Sequence, residues 1–267
     1  MPPTLVRTMS PSLARVPVSA LGPGPRHPGD AEADAGLVTP LTIFPAGSVR
    51  LWLRWTSVLL GTPPAIATAA DQSGLGNDAS QGTVADRPTL VDGVGMDFDG
   101  TDDHLVVASD ASLDLTTKMT IGLRLKFDTV VADQVVMSKM PSSGGSWVLQ
   151  FVGSQSRLWV RFADSLRYGR LSAMAAGTNY SIVIVYDGDQ LVANNRMLAW
   201  VNGTQDSGIS YTSTIPTSLP VTAHDVVIGR WLNDLQKFNG TMRAAFIAAA
   251  AATPAQMPRI FSYLDGC

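Results

Sequence analysis

The chain has 267 residues, enough to build one large core, with 45% hydrophobic and 15% charged residues. Its formal net charge of -3 lacks the basic surplus of a nucleic-acid-binding domain, and no run reaches the ~18 apolar residues of a membrane span, so both partners are set aside. Cys267 is the only cysteine, which excludes an internal disulfide framework.

Residues 1–45 hold nine of the seventeen prolines, from Pro2 to Pro45, with Gly22, Gly24 and Gly29 between them. Proline fixes φ and removes a backbone donor, so this stretch is expected to be an extended arm and not helix or sheet interior. An arm of this kind suits docking on a neighbouring subunit, because its prolines limit the entropy lost on ordering. No signal peptide is expected ahead of the strands, since prolines interrupt every candidate apolar core.

From residue 46 to 267 the text reads as strand and turn. The clearest strand is Met119–Phe127, where Met119, Ile121, Leu123, Leu125 and Phe127 share one face and Thr120, Gly122, Arg124 and Lys126 the other. Ser181–Tyr186 is apolar on both faces and is expected as a central strand. Further strands are expected at Met96–Phe98, Val135–Ser138, Trp147–Phe151, Leu158–Phe162, Met197–Val201, Val226–Ile228 and Met242–Ala248. The turn pairs Asp99-Gly100, Asp187-Gly188, Asn202-Gly203 and Asn239-Gly240 separate them. A short helix is expected after Thr253, whose spacing to Gln256 fits a capping box with proline at the first position. Pro258 should limit its length or shift its start. The expected fold is therefore all-β: an antiparallel two-sheet sandwich.

Several segments occur in the order known from one fold family. These are Asp71-Gln-Ser-Gly-Leu-Gly-Asn77, Arg87-Pro88, Met96-Asp-Phe-Asp-Gly-Thr-Asp-Asp103, Val136-Met-Ser-Lys139, Asn179 to Gly188, Trp200-Val-Asn-Gly203 and Phe238-Asn-Gly240. Together they resemble the laminin-G-like jelly roll of the concanavalin A-like lectin/glucanase superfamily, over roughly residues 48–264. The resemblance implies a lectin-like jelly roll of the type also found in bacteriophage virion proteins. Ala69-Ala70 and Asn179-Tyr180-Ser181 depart from the family's usual aromatic and histidine positions.

The glucanases of that superfamily use two glutamates, and retaining hydrolysis needs such a carboxylate pair. Glu32 is the only glutamate here and lies in the arm. Asp97 and Asp99 are the only Asp-x-Asp on a strand and are expected to close a turn. His27, His104 and His224 form no zinc spacing and no serine elbow surrounds them. His104 is expected as a partly exposed strand residue. No catalytic, cofactor-binding or metal-ligating residue is therefore assigned. Calcium remains the one cofactor with a candidate cluster, Asp99, Asp102 and Asp103, although an Asx-type turn explains the same residues.

A sugar platform needs an exposed aromatic flanked by polar groups. Trp231, beside Arg230, Asn233 and Asp234, and Tyr168, between Arg167 and Arg170, meet that description. Trp52, Trp147 and Trp200 are expected in the core. The reading that follows is a non-catalytic structural or binding protein. It is expected in a bacteriophage virion, as a capsid decoration, head fibre or tail-associated protein, with the arm holding it to other subunits of a larger assembly. The alternative is an extracellular, secreted or cell-surface carbohydrate-binding module that takes a cell-surface glycan, and a glycoside hydrolase is the third reading.

Overall fold

Strict alternation along Lys118–Phe127 produces the strand around which the molecule is built. The computed structural model describes residues 38–60, 64–141, 144–163, 167–233 and 235–267, and only the backbone of residues 57, 59, 60, 167 and 168. The expected arm lies outside the described residues up to Leu37, and Val38–Cys267 form one compact unit.

Eighteen strands are described. In chain order they are β1 (Val49–Arg54), β2 (Val58–Leu60), β3 (Ile66–Ala69), β4 (Ala79–Ser80), β5 (Thr89–Val91) and β6 (Gly95–Asp99). Next come β7 (Leu105–Val107), β8 (Lys118–Phe127), β9 (Gln134–Ser138), β10 (Trp147–Val152), β11 (Arg157–Phe162) and β12 (Arg167–Ala173). The last are β13 (Asn179–Asp187), β14 (Met197–Val201), β15 (Thr204–Gln205), β16 (Ser210–Thr212), β17 (Val226–Ile228) and β18 (Asn239–Ala248). Two short helices flank the set, α1 (Pro40–Ile43) and α2 (Met257–Asp265).

The strands form two antiparallel sheets packed as a jelly-roll sandwich. The first runs β15-β14-β13-β8-β18-β6-β5, with β1 also paired to β18. The second runs β16-β12-β11-β10-β9-β17-β7-β4-β3-β2. Met119, Ile121, Leu123, Leu125 and Phe127 all enter the core between the sheets, as the alternation predicts. They meet Leu149, Phe151, Leu158, Val160 and Phe162 from the second sheet. Each such side chain, fully buried, contributes roughly 1.5–3 kcal/mol of transfer free energy.

The other face of β8 is also covered. The Thr120 hydroxyl donates to the carbonyl of Ala250 at 2.6 Å and accepts from the N–H of Ala252 at 2.9 Å. Gly122 lies under the ring of Phe246, where any Cβ would overlap it, so glycine is required by close approach. A second apolar layer explains both contacts. Trp52, Val183, Val185, Trp200, Phe246 and Ala248 on the outside of the first sheet pack against Met257, Ile260, Phe261, Tyr263 and Leu264 of α2. The central strand expected at 181–186 is thus buried on both faces because a helix seals the outer one.

Residues 38–45 depart from the expected arm. They turn as α1, because Pro40 stands at a first helical position where its missing N–H costs nothing. The N–H of Thr39 donates to the Thr42 hydroxyl at 3.0 Å. Ile43 and Phe44 are buried in the layer formed with α2. Gln256 donates to the carbonyl of Ile43 at 2.8 Å, and Arg259 to that of Thr42 at 3.0 Å. After Thr253, a 3-10 turn at Pro254–Gln256 leads into α2, and Pro258 falls within its first turn. The Thr253 N–H donates to the side chain of Gln256 at 2.9 Å, the reach-back half of the expected capping box.

Candidate functional site

The family-like segment at Asp71–Asn77 proves to be scaffolding. The Asp71 carboxylate accepts from the N–H groups of Trp52 and Ser73, both at 2.9 Å, and of Asn77 at 3.0 Å. It also accepts from the Ser73 hydroxyl at 2.6 Å. Asn77 in turn donates to the carbonyl of Arg50 and to the Ser112 hydroxyl, at 2.7 and 2.9 Å. A carboxylate taking several backbone donors locks a loop; here it anchors β1 to the start of the sandwich.

Asp99, Asp102 and Asp103 lie together, with one ligand atom from each within 4.8 Å of the others. The Asp99 carboxylate accepts from the N–H of Thr101 at 2.7 Å, which is an Asx turn. Asp103 accepts from the N–H of Asp99 at 2.9 Å. Burial raises the Asp103 carboxyl to about 7, helped by Asp99 and Asp102 and opposed by the Asp99 hydrogen bond. This donor set is rich enough in oxygen to suit calcium, yet Asp99 and Asp103 already serve the turn itself. Asp97, the other half of the Asp-x-Asp pair, sits on β6 with its carboxyl raised by burial and then by Asp128.

His104 corrects the sequence reading. It is 5% exposed and precedes β7, so it is neither partly exposed nor in the strand. Its ring meets the Gln81 amide at 2.6 Å and the carbonyl of Asp102 at 2.8 Å. One partner is two residues away and the other, Gln81, is 23 residues away in sequence.

Trp231 is not an exposed platform. It is 5% exposed, packed on Val135, Met140 and Val148, and its indole N–H donates to Gln236 at 2.5 Å. The same Gln236 oxygen accepts from Gln150 at 2.6 Å. Trp52, Trp147 and Trp200 are buried as expected. Asp234 lies outside the described residues, as do the side chains of Arg167 and Tyr168.

The outer face of the second sheet holds an aromatic residue that the sequence reading left aside. Along β11, Leu158, Val160 and Phe162 point into the core. Arg157, Trp159 and Arg161 therefore share the opposite face, where each is half-buried. Register places Trp159 across from Gln150 on one side and Arg170 on the other. The guanidinium carbon of Arg161 lies 4.9 Å from the Trp159 ring centroid, and that of Arg170 5.6 Å. Both are within cation–π range. Arg170 also donates to the Thr212 hydroxyl of β16 at 3.3 Å. This Trp–Arg cluster faces away from the core, on the sheet that α2 does not cover.

Comparison with known proteins agrees with this architecture. The family Laminin_G_3, of the concanavalin A-like lectin/glucanases superfamily, matches residues 99–257. No curated protein matches the chain. Among solved structures, botulinum neurotoxin type C is 10% identical with a TM-score of 0.58, over 81% of this chain and 51% of the toxin chain. Trypanosoma rangeli sialidase is 12% identical with a TM-score of 0.59, over 83% and 33%. The binding domain of Paraclostridial mosquitocidal protein 1 is 13% identical with a TM-score of 0.56, over 81% and 52%. The chain spans about half the length of the toxin chains and a third of the sialidase, and the likeness is one of fold. With 159 residues matched by sequence inside a two-sheet jelly roll, the chain belongs to the concanavalin A-like lectin/glucanases superfamily.

Proposed function

We propose that this protein is a non-catalytic recognition module that binds carbohydrate on the outer face of its second sheet, over β11 and β12. The observation that carries this reading is the half-buried Trp159, held beside Arg161 and Arg170 on a face without a covering helix. An aromatic ring with polar groups around it is the usual chemistry of a saccharide surface. The similar botulinum neurotoxin type C depends on two ganglioside molecules for cell entry, which favours a glycan over other ligands. The Asp99 carboxylate is used in its own turn, and a hydrolase reading has no glutamate pair to rest on.

The Pro-rich residues 1–37 support a finer proposal: the module is carried on a particle, as a bacteriophage virion component, with the arm docked on neighbouring subunits. A secreted or cell-surface module is the alternative. Deleting residues 1–37 and measuring incorporation into the parent particle separates the two, since normal incorporation overturns the virion reading.

The glycan reading is tested with the full chain on a panel of immobilised polysaccharides, alongside a Trp159→Ala variant of matched thermal stability. Retention on at least one polysaccharide, lost in the variant, is the expected result. Retention of none, or equal retention by the variant, overturns it.

A further inference from the structure

A cleft of about 380 Å³ lies where the edges of the two sheets come together, between the end of β12 and the β14–β15 hairpin. Buried Met174 and half-buried Val201 supply its apolar part. Thr204, Gln205 and Ser207 bring hydroxyl and amide groups to it, and all three are exposed. Its walls are held in place by hydrogen bonds. The Asp206 carboxylate accepts from the N–H and the hydroxyl of Ser172, both at 2.6 Å, and from the N–H of Gly208 at 2.9 Å. Its own N–H donates to the carbonyl of Ala199 at 2.9 Å. In the hairpin turn Asn202 and Gly203 take φ of 49° and 85°, the geometry a two-residue loop demands. The Asn202 side chain accepts from the N–H of Ser181 at 2.8 Å and so fixes the hairpin to β13.

We infer that this cleft is a second saccharide subsite, which takes one uncharged sugar ring of a glycan that also crosses Trp159. In joining the two subsites the inference rests on the glycan reading above. A sugar ring has an apolar C–H face and an edge of hydroxyl groups that both donate and accept. The cleft offers the matching pair, an apolar surface with a few placed polar groups, at a volume within the usual range for ligand pockets. Asp206 makes the choice of charge. A carboxylate has about four lone-pair positions, and the three donors from Ser172 and Gly208 leave room for one sugar hydroxyl. An acidic sugar would bring a second negative charge against it. Position links the cleft to Trp159. Arg170 is the cross-strand partner of Trp159, and Leu171 points into the core, so Ser172 falls on the same face of β12 as Arg170. Two residues of strand, roughly 7 Å, thus separate the Trp159 row from the wall of the cleft. The walls are fixed by the fold, so little ordering is left for binding to complete.

The test uses the full chain and the methyl glycosides of glucose, galactose, mannose and N-acetylglucosamine, with glucosamine and glucuronic acid as charged comparators. Binding is followed by saturation-transfer NMR and titration calorimetry. Two variants act on the cleft at exposed positions: Ser207→Trp fills it, and the double change Thr204→Val with Gln205→Ala strips its polar groups. The expected result is saturable binding of at least one uncharged glycoside, weakened about tenfold or more by each variant, the scale of one or two hydrogen bonds. Trp159→Ala should leave that binding unchanged while it abolishes retention on polysaccharide. Glycoside binding that survives either cleft variant, or is lost only in Trp159→Ala, overturns the inference and leaves the glycan reading standing. So does Trp159-dependent retention on polysaccharide with no glycoside bound. Glycoside binding in the cleft without such retention overturns the Trp159 reading and, with it, the joined site. Binding of no saccharide overturns both. Tighter binding of glucosamine or glucuronic acid than of any uncharged glycoside overturns the choice of an uncharged ring. Thermal unfolding of each variant, matched to the parent, keeps a folding defect from posing as lost affinity.

Discussion

The indole N–H of Trp52 donates to the Tyr263 hydroxyl at 2.5 Å across 211 residues of sequence, tying the first strand to the last helix. The rings also meet nearly edge to face, with centroids 6.1 Å apart. Burial pushes the Tyr263 phenol far up, so it stays a neutral hydroxyl at any working pH. Tyr263→Phe removes the acceptor and strands a buried indole N–H. It should cost about 1–3 kcal/mol of stability, a loss of several degrees in the melting temperature. Unchanged thermal unfolding would show that water or a rearranged neighbour replaces the bond.

Asp103 gives the protein a pH dependence of definite sign. Its carboxyl is raised by burial to about 7 in the fold, against an ordinary value of 3.8. Between those values the folded chain holds a proton that the unfolded chain has released. Stability from this group is therefore full below about 4 and is lost as pH rises through 7. The melting temperature should fall between pH 5 and pH 8 (roughly, the window set by linkage) in the parent, and less so in Asp103→Asn. Asparagine keeps the oxygen that accepts from Asp99 and removes the charge. Parallel pH profiles for the two proteins would contradict the assignment. Added calcium is expected to leave both unfolding curves unmoved, and a rise confined to the parent would make the cluster a cation site.

Lys139 is fully buried, and its ammonium donates to the carbonyls of His224 and Thr222 at 2.8 and 3.3 Å while lying 3.3 Å from Asp114. These contacts pin the loop before β17 onto β9. Lys139→Met leaves Asp114 and two carbonyls without their cation, and should destabilise the fold by about 3–5 kcal/mol. Chemical denaturation measures this directly. A loss below 1 kcal/mol (roughly the value of a surface pair) would mean that the site rewets easily.

Two fragments test where the folded unit begins. Residues 38–267 should unfold cooperatively without the Pro-rich segment, because that unit has its own core. Residues 48–267 lose buried Ile43 and Phe44 and the bonds from Gln256 and Arg259, and should melt lower. Coincident transitions would show that α1 adds nothing to the sealing layer.

Strands with a strict period were legible from the sequence. The alternation at 119–127 and the double-sided apolar run at 181–186 each translate directly into burial, because a strand has only two faces. What covers those faces was not legible. The layer over Thr120, Gly122 and Arg124 is supplied by residues more than a hundred positions away, and no local pattern announces it. Residues 40–43 were read from proline content alone, although proline at a first helical position is as well suited to a turn as to an extended arm. Trp159 could have been found. Arg157-Leu-Trp-Val-Arg-Phe162 alternates cleanly, and the tryptophan falls with the arginines instead of with the leucine, valine and phenylalanine. Trp231 has polar neighbours in sequence, yet it is buried against Val135, Met140 and Val148. Gln81 beside His104, and Asp114, Thr222 and His224 around Lys139, lie far from them in sequence, so these surroundings could not be inferred from the adjoining strands.

The sealing of the first sheet makes the two outer faces of the sandwich unlike. Val38, where the Pro-rich segment joins the sandwich, and Cys267 at the far end of α2 both pack into the layer outside the first sheet. Both residues thus lie on the outer side of the first sheet, while Trp159 lies on the outer side of the second, so the two broad faces of the sandwich differ: one is sealed by a helix and the other presents a strand surface.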